Sequence, residues 1–467
     1  MRHQGQLTRT HYNHAQSRHS RSVLTSPQLR PSRMNRTWPR AAVLACLLIA
    51  QPAMAATEIR LWHSMAGALG ARLDELVARF NASQTEYRVT ANLKRGYEDM
   101  ASAALGARLA GHAPHVIQVP EAAAGSLLEM KHAFRPVHEL MAEAHERLDS
   151  KSFYAPIAAR FRDRSDRLVA LPFNSAVAVL FYNKDAFVKA GLDPARAPRT
   201  WREVQAAALA LRDAGDLCGY TTSWPAWIHL EDLAAWHDEP MATRSNGFDV
   251  SYTFNGIMMV RHISLLSSWL KSRIFTYSGR KNEADAKFHG GECGMLTSAS
   301  SAYADIAERA RFKFGVAPMP YYDEFPHAPH NSSLGGEALW VLSGKSAAEY
   351  RGVAKFFAYL TRPEVQAGWH QKTGYLPVGP AAFDLSRRQG FYKTRPGFEM
   401  LVKRLSQRKP AADSPGLRFG NLLLVRAVID EELEQVWSGR ITPKEALDEA
   451  VERGNRLLGQ FEPARLR

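Results

Sequence analysis

From residue 57 onward the chain alternates between two hydrophobic periods. Residues 58–62 switch between polar and apolar as a half-buried strand does, and Leu69, Leu73, Leu76, Val77 and Phe80 then recur at helical spacing. Residues 88–93 predict a second strand, 98–109 a helix, and 114–119 a third, largely apolar strand. Strand and helix alternating on this period predict a parallel sheet covered by helices. A less regular stretch leads to strands at 168–171 and 177–182, a turn at Asn183 and a helix over 184–190. Thr200 and Glu203 frame a capping box for a helix to Ala214, where Gly215 stops it. Strand 218–222 is followed by helices at 230–236 and 258–270, so the second half has its own alternation. A short strand at 294–297 feeds a helix over 302–310, and 313–319 and 333–342 are further strands. From Ala347 helices dominate: 347–360, then 363–372 ended by Gly374, then 422–437, and a last one capped by Thr442 and Glu445 that runs to about Phe461.

Length adds that 467 residues with 45% hydrophobic content can bury at least two cores. After residue 60 no segment has the roughly 20 uninterrupted apolar residues of a membrane span. The net charge of +14 points to nucleic acid only until its position is considered. Residues 1–55 hold eight arginines and no Asp or Glu, and removing those eight charges leaves +6. The basic stretch from Met34 to Arg40, the apolar run 41–50 and Ala53-Met54-Ala55 have the three parts of a secretory signal, so 1–55 is read as a cleaved signal peptide. A signal is expected to begin near a start codon, so 1–33 can be an over-extended gene start with Met34 as the real one. Cleavage leaves Cys218 and Cys293, equally consistent with a disulfide in an oxidising compartment and with two small buried side chains.

In helix-covered sheets ligands sit beyond the carboxyl ends of strands, which nominates Trp62-His63-Ser64, Gly96-Tyr97-Glu98 and Pro120-Glu121 as one rim. After strand 218–222, Trp224 and Trp227 flank Pro225. Such indoles can wall a polyol or sugar, or equally pack in a lobe core. Ser298, Ser300 and Ser301 at a helix start can cap it or hold an anion. Gly335 and Gly336 allow a close approach, and Arg426 sits where the helix dipole does not favour a cation. No Gly-x-Ser-x-Gly elbow and no Cys/His or His/Asp metal spacing occurs, so no cofactor and no metal are expected. A phosphodiester or glycan hydrolase using Glu121 beside Arg426 is the competing class, but it would want a second carboxylate, a metal or an activated nucleophile.

The order of Trp62-His63-Ser64-Met65, Pro172-Phe173-Asn174-Ser175, residues 182–187 with 190–194, Trp224 to Trp227, residues 369–377 and residues 428–434 resembles the extracytoplasmic solute-binding proteins of ABC importers, over about 59–461. The resemblance is nearest to the branch that takes glycerol phosphate esters. It implies an α/β protein of the periplasmic binding protein type II kind, two lobes with a ligand cleft between them, segmented 57–168, 169–301, 302–361 and 362–467, with the first and third segments in one lobe. It further implies a periplasmic, monomeric, non-enzymatic carrier. The carrier captures sn-glycerol 3-phosphate or a glycerophosphodiester such as glycerophosphocholine and delivers it to the permease subunits in the inner membrane, with a sugar or polyol as the alternative ligand. Carried over by motif, the ligand-binding residues are Tyr97, Glu121, Ser175, Trp224, Trp227, Ser300, Gly336, Tyr375 and Arg426. Two positions depart from the family pattern: Ala176 and Ala299 stand where serines are expected.

Overall fold

The computed structural model describes residues 56–94, 96, 99–130, 132–163, 165–215, 218–243, 251–407 and 420–461. The expected signal segment lies outside these residues, as do Tyr97 and Glu98. Among these residues eleven strands form two sheets. They are β1 (Thr57–His63), β2 (Tyr87–Leu93), β3 (Val116–Pro120), β4 (Phe134–Arg135), β5 (Leu171–Pro172), β6 (Ala178–Asn183), β7 (Cys218–Thr222), β8 (Phe275–Tyr277), β9 (Cys293–Ala299), β10 (Phe314–Pro318) and β11 (Glu337–Leu342).

The first sheet runs β2-β1-β3-β11-β4, with β5 also pairing to β11. Here β1 is parallel to β2 and β3, but β11 is antiparallel to β3, β4 and β5. The second runs β10-β6-β9-β7-β8, with β7 parallel to β8 and β9 and β6 antiparallel to β9 and β10. The expected parallel sheet is therefore mixed. Its parallel part is the one built by local strand–helix–strand units. In the first sheet the antiparallel part comes from β11, which returns from the other sheet and enters from the opposite direction. Every residue of β6 and of β11 is buried, as strands covered on both faces require.

Two apolar cores form. One, around Ile59, Leu61, Ile117 and Trp340, also takes in Val179 and Phe181 of β6 and Leu296 of β9; the other lies around Trp201, Tyr220, Trp269 and Phe275. The expected segment 302–361 is divided between the two sheets, because β10 pairs with β6 while β11 lies in the first sheet. Likewise β5, beyond the expected boundary at 168, pairs with β11. The chain thus passes between sheets at 173–177 and 319–336. These two crossings lie side by side: Ala176 N–H donates to Gly335 O at 3.0 Å and Gly335 N–H to Ala176 O at 2.8 Å.

The two cysteines among the described residues are joined. Cys218 and Cys293 face each other in register where β7 and β9 begin, with an S–S bond of 2.06 Å across a sequence separation of 75. Closing a loop of that length removes about 4 kcal/mol of unfolded-state entropy on the chain-entropy view. The bond sits at the amino ends of both strands. The serines expected to cap the helix over 302–310 make no side-chain cap there, but other local signals follow expectation. The Thr200–Glu203 box closes the helix Trp201–Asp213, Gly374 ends Pro363–Thr373 with φ of 76°, and Leu422–Trp437 forms over the expected residues.

Candidate functional site

The carboxyl ends of β1 and β3 form a stitched rim. Ser64 N–H donates to Gln118 Oε1 at 3.2 Å and Ser64 Oγ to Gly96 O at 3.3 Å, while Lys94 Nζ lies 4.3 Å from the Trp62 ring centre. Where β3 ends, Pro120 precedes a 3₁₀ turn begun by Glu121, whose N–H donates to Gly336 O at 3.0 Å. Gly336 has φ of 120°, and a Cβ there would come within 2.4 Å of Asn174 O and 2.8 Å of Ser175 Cα. Only glycine fits, because both the conformation and the approach of the first crossing exclude a side chain.

On the other side β7 ends at Thr222, and Trp224 follows with φ of 53°, a conformation bulky residues seldom adopt. It is held by its N–H donating to Lys281 O at 2.8 Å and by its carbonyl accepting from Ile228 N–H at 2.9 Å. Residues Trp227–Asp232 then form a π-helical turn, a geometry that recurs at functional sites. It buries Trp227 at 6% exposure, and a Cβ on Gly335 would lie 3.0 Å from that indole. The Trp227 Nε1–H has no hydrogen-bond partner among the described residues, and neither has Ser175 Oγ.

The same turn presents Glu231. Arg426, in the second turn of Leu422–Trp437, donates Nε–H to Glu231 Oε1 at 2.5 Å, and its Nη2 donates to Glu231 Oε2 and Glu121 Oε1, each at 2.8 Å. Side-chain exposures of 18%, 5% and 3% for Arg426, Glu121 and Glu231 place the cluster inside the molecule. Burial works against the guanidinium's charge, but Glu231 and then Glu121 outweigh it and hold its pKa above the ordinary range. One turn on, Asp430 Oδ1 accepts from Ala226 N–H at 3.2 Å, tying the tryptophan turn to this helix; burial pushes its carboxyl up to about 7.

Tyr375 is buried, its ring stacked 6.4 Å from that of Trp369 at 8°, and its phenol donates to Glu337 Oε1 at 3.4 Å. Asn174 links the same group, donating to Glu337 Oε2 and accepting from Trp369 Nε1–H, both at 2.7 Å. Leu376 N–H donates to Ser175 O at 2.6 Å, which sets Tyr375 beside the first crossing. Ser300 is fully buried; its N–H donates to Val177 O and its Oγ accepts weakly from Val177 N–H at 3.5 Å. Ser298 Oγ and Ser223 Oγ donate to Asp285 Oδ1 at 2.8 and 2.7 Å, and burial raises that carboxyl to about 6.

Of the expected residues, Glu121, Ser175, Trp227, Gly336, Tyr375 and Arg426 are thus linked around the crossings by the contacts above, and Ser300 touches the same strand end. Trp224 is joined through its turn, and Tyr97 lies outside the described residues. Sequence reasoning missed Glu231. Its signal is spacing, since a helix begun at Trp227 instead of 230 would place a carboxylate four residues after the indole.

A wall of indole, two bare glycines, buried hydroxyl and N–H groups and one forked cation at a seam between two sheets can enclose a small polar solute. The chain belongs to the bacterial extracellular solute-binding proteins, whose family profile matches residues 75–399. Within that family it is 44% identical, over 88% of its length and 94% of the relative's, to the sn-glycerol-3-phosphate-binding periplasmic protein UgpB of Yersinia pseudotuberculosis. Two solved structures share the fold. The GacH receptor of Streptomyces glaucescens, described unliganded and with acarbose, superposes with a TM-score of 0.72 at 19% identity, covering 86% of this chain and 99% of that one. UgpB of Mycobacterium tuberculosis in complex with glycerophosphocholine gives 0.71 at 19%, covering 87% and 99%. The fold is accordingly the type II periplasmic binding protein fold, with two sheets consistent with two lobes.

Proposed function

We propose that this protein is the periplasmic solute-binding component of an ABC importer that captures sn-glycerol 3-phosphate or a glycerophosphodiester and hands it to membrane permease subunits. The observation that carries the reading is Arg426, a cation bridging Glu121 at the end of β3 and Glu231 beside Trp227, and so joining the two sheets at the cleft. Its Nη1 takes part in none of these bonds, which leaves two N–H groups for a phosphate oxygen. Ser175 Oγ, Trp227 Nε1–H and the backbone at Gly336 supply polar contacts to the ester, and the indoles cover a glycerol C–H face. Kinship with binding proteins supports a role without catalysis, as a monomer exported by a cleaved signal at 1–55. Tyr97, Trp224, Ser300 and Tyr375 complete the proposed contact set.

Closure is the mechanism. Ligand touches groups on both sides of the seam, and only the closed form makes both sets of bonds at once. The test is isothermal titration calorimetry of protein freed of carried-over ligand by unfolding and refolding, against glycerol 3-phosphate, glycerophosphocholine and maltose. Micromolar or tighter binding of a phosphate ester is expected. Binding of maltose alone would sink the phosphate assignment and favour the polyol reading that the tryptophan pair by itself allows, and turnover of the diester would revive a hydrolase.

A further inference from the structure

Glu231 is absent from the expected contact set, yet it holds Arg426 by two of the three bonds that fix the guanidinium. With Glu121 on the same group, one cation faces two carboxylates and the cluster is net negative by one charge. We propose that Glu231 is a positioning residue that sets ligand charge, making this cleft select a glycerophosphodiester with a cationic head over a free glycerol phosphate monoester; the proposal rests on the phosphate-ester reading above.

The argument is one of charge and donors. A diester phosphate carries one negative charge. A monoester, whose second pKa is about 6, carries nearly two at neutral pH. Only the Nη1 edge of Arg426 is uncommitted, so the guanidinium meets one phosphate oxygen edge while two carboxylates already neutralise it. Hydroxyls that would spread a second negative charge are few. Ala176 and Ala299 have none and Ser298 donates to Asp285, which leaves Ser175 Oγ and Ser300 Oγ, the latter fully buried and accepting from Val177 N–H. Loss of such donors penalises the more highly charged ligand most. A quaternary ammonium head, by contrast, gains from a net-negative cluster and from the indole faces of Trp224 and Trp227.

Calorimetry with glycerol 3-phosphate and glycerophosphocholine on the refolded protein and on Glu231→Gln tests this. Glutamine keeps the shape and one acceptor but removes the charge. The wild type is expected to bind the diester at least about tenfold more tightly. In the variant the ratio should narrow by about fivefold or more, through tighter binding of the monoester. Equal or tighter wild-type binding of glycerol 3-phosphate would overturn the proposal while leaving the importer reading intact, and this comparison decides even if the variant does not fold. A variant that shifts both ligands by one common factor would also overturn it, since that is what a purely structural role predicts. Failure of the wild type to bind either ester would remove the phosphate-ester reading and this inference with it.

Discussion

At the scale of single residues, Arg426 shows how a group proposed to bind ligand is also a structural one. Read from the sequence alone, it is a forked cation at a helix start; in the fold it pairs with two carboxylates that have 5% and 3% side-chain exposure. Removing one partner of a buried ionic cluster leaves the others uncompensated, typically at about 3–5 kcal/mol. Arg426→Ala is therefore expected to abolish ester binding and also to lower the urea midpoint, whereas Arg426→Lys keeps a charge but loses the fork and should weaken binding with a smaller loss of stability. Calorimetry and urea titration of both variants would check this. An alanine variant with wild-type affinity and midpoint would remove Arg426 from the site. Gly336 makes the complementary point, since the crowding that demands glycine there is invisible in the residues next to it and arises from Asn174 and Ser175, about 160 positions earlier.

Among elements, legibility follows the range of the interactions that define each one. The helix Leu422–Trp437 and the Thr200–Glu203 cap are readable because period and cap are local. The π-helical turn Trp227–Asp232 is not, because one widened turn leaves the hydrophobic period nearly unchanged, and a helix beginning at 230 is the reading that period suggests. What stabilises the turn is a buried polar chain. His229 Nδ1 pairs with His262 Nε2 at 2.9 Å, His229 Nε2 with Thr222 Oγ1 at 2.9 Å, and His262 Nδ1 with Tyr322 OH at 2.8 Å. The chain closes with neutral imidazoles, each giving one proton and taking one. Burial accordingly lowers His229 to about 3 and puts His262 well below its usual value. A folded pKa below the unfolded one means that the stability is complete above about 6.5 and is lost as pH falls toward 3. The buried Asp232, Asp285 and Asp430, raised to about 7, 6 and 7, titrate in the opposite sense. The informative quantity is therefore the stability difference between wild type and His229→Gln, which should be largest near pH 7 and shrink toward pH 4. A difference independent of pH would show that the imidazole is not buried neutral.

For the whole molecule, the two-lobed class is legible from two runs of strand and helix alternation, but the seam is not. Two crossings, 173–177 and 319–336, meet as Ala176 pairs with Gly335, and that pairing spans 159 residues that no local pattern connects. The candidate site lies against this seam, so its polar contacts and the lobes' relative position are one problem. Glu121 hangs from the first sheet, Glu231 follows the second, and Arg426 joins them. A ligand can drive closure only by binding the closed form more tightly than the open one, and in the proposed mechanism it does so by contacting groups on both sides. The Glu121–Arg426 pair is a contact across that divide that needs no ligand, so it biases the ligand-free protein toward closure. Small-angle scattering should show a radius of gyration that falls when ester is added, and a larger fall for Glu121→Gln at saturating ligand, because that variant starts more open. An unchanged scattering curve on saturation in both proteins would refute hinge closure, and an equal fall in both would show that the ion pair does not hold the lobes together.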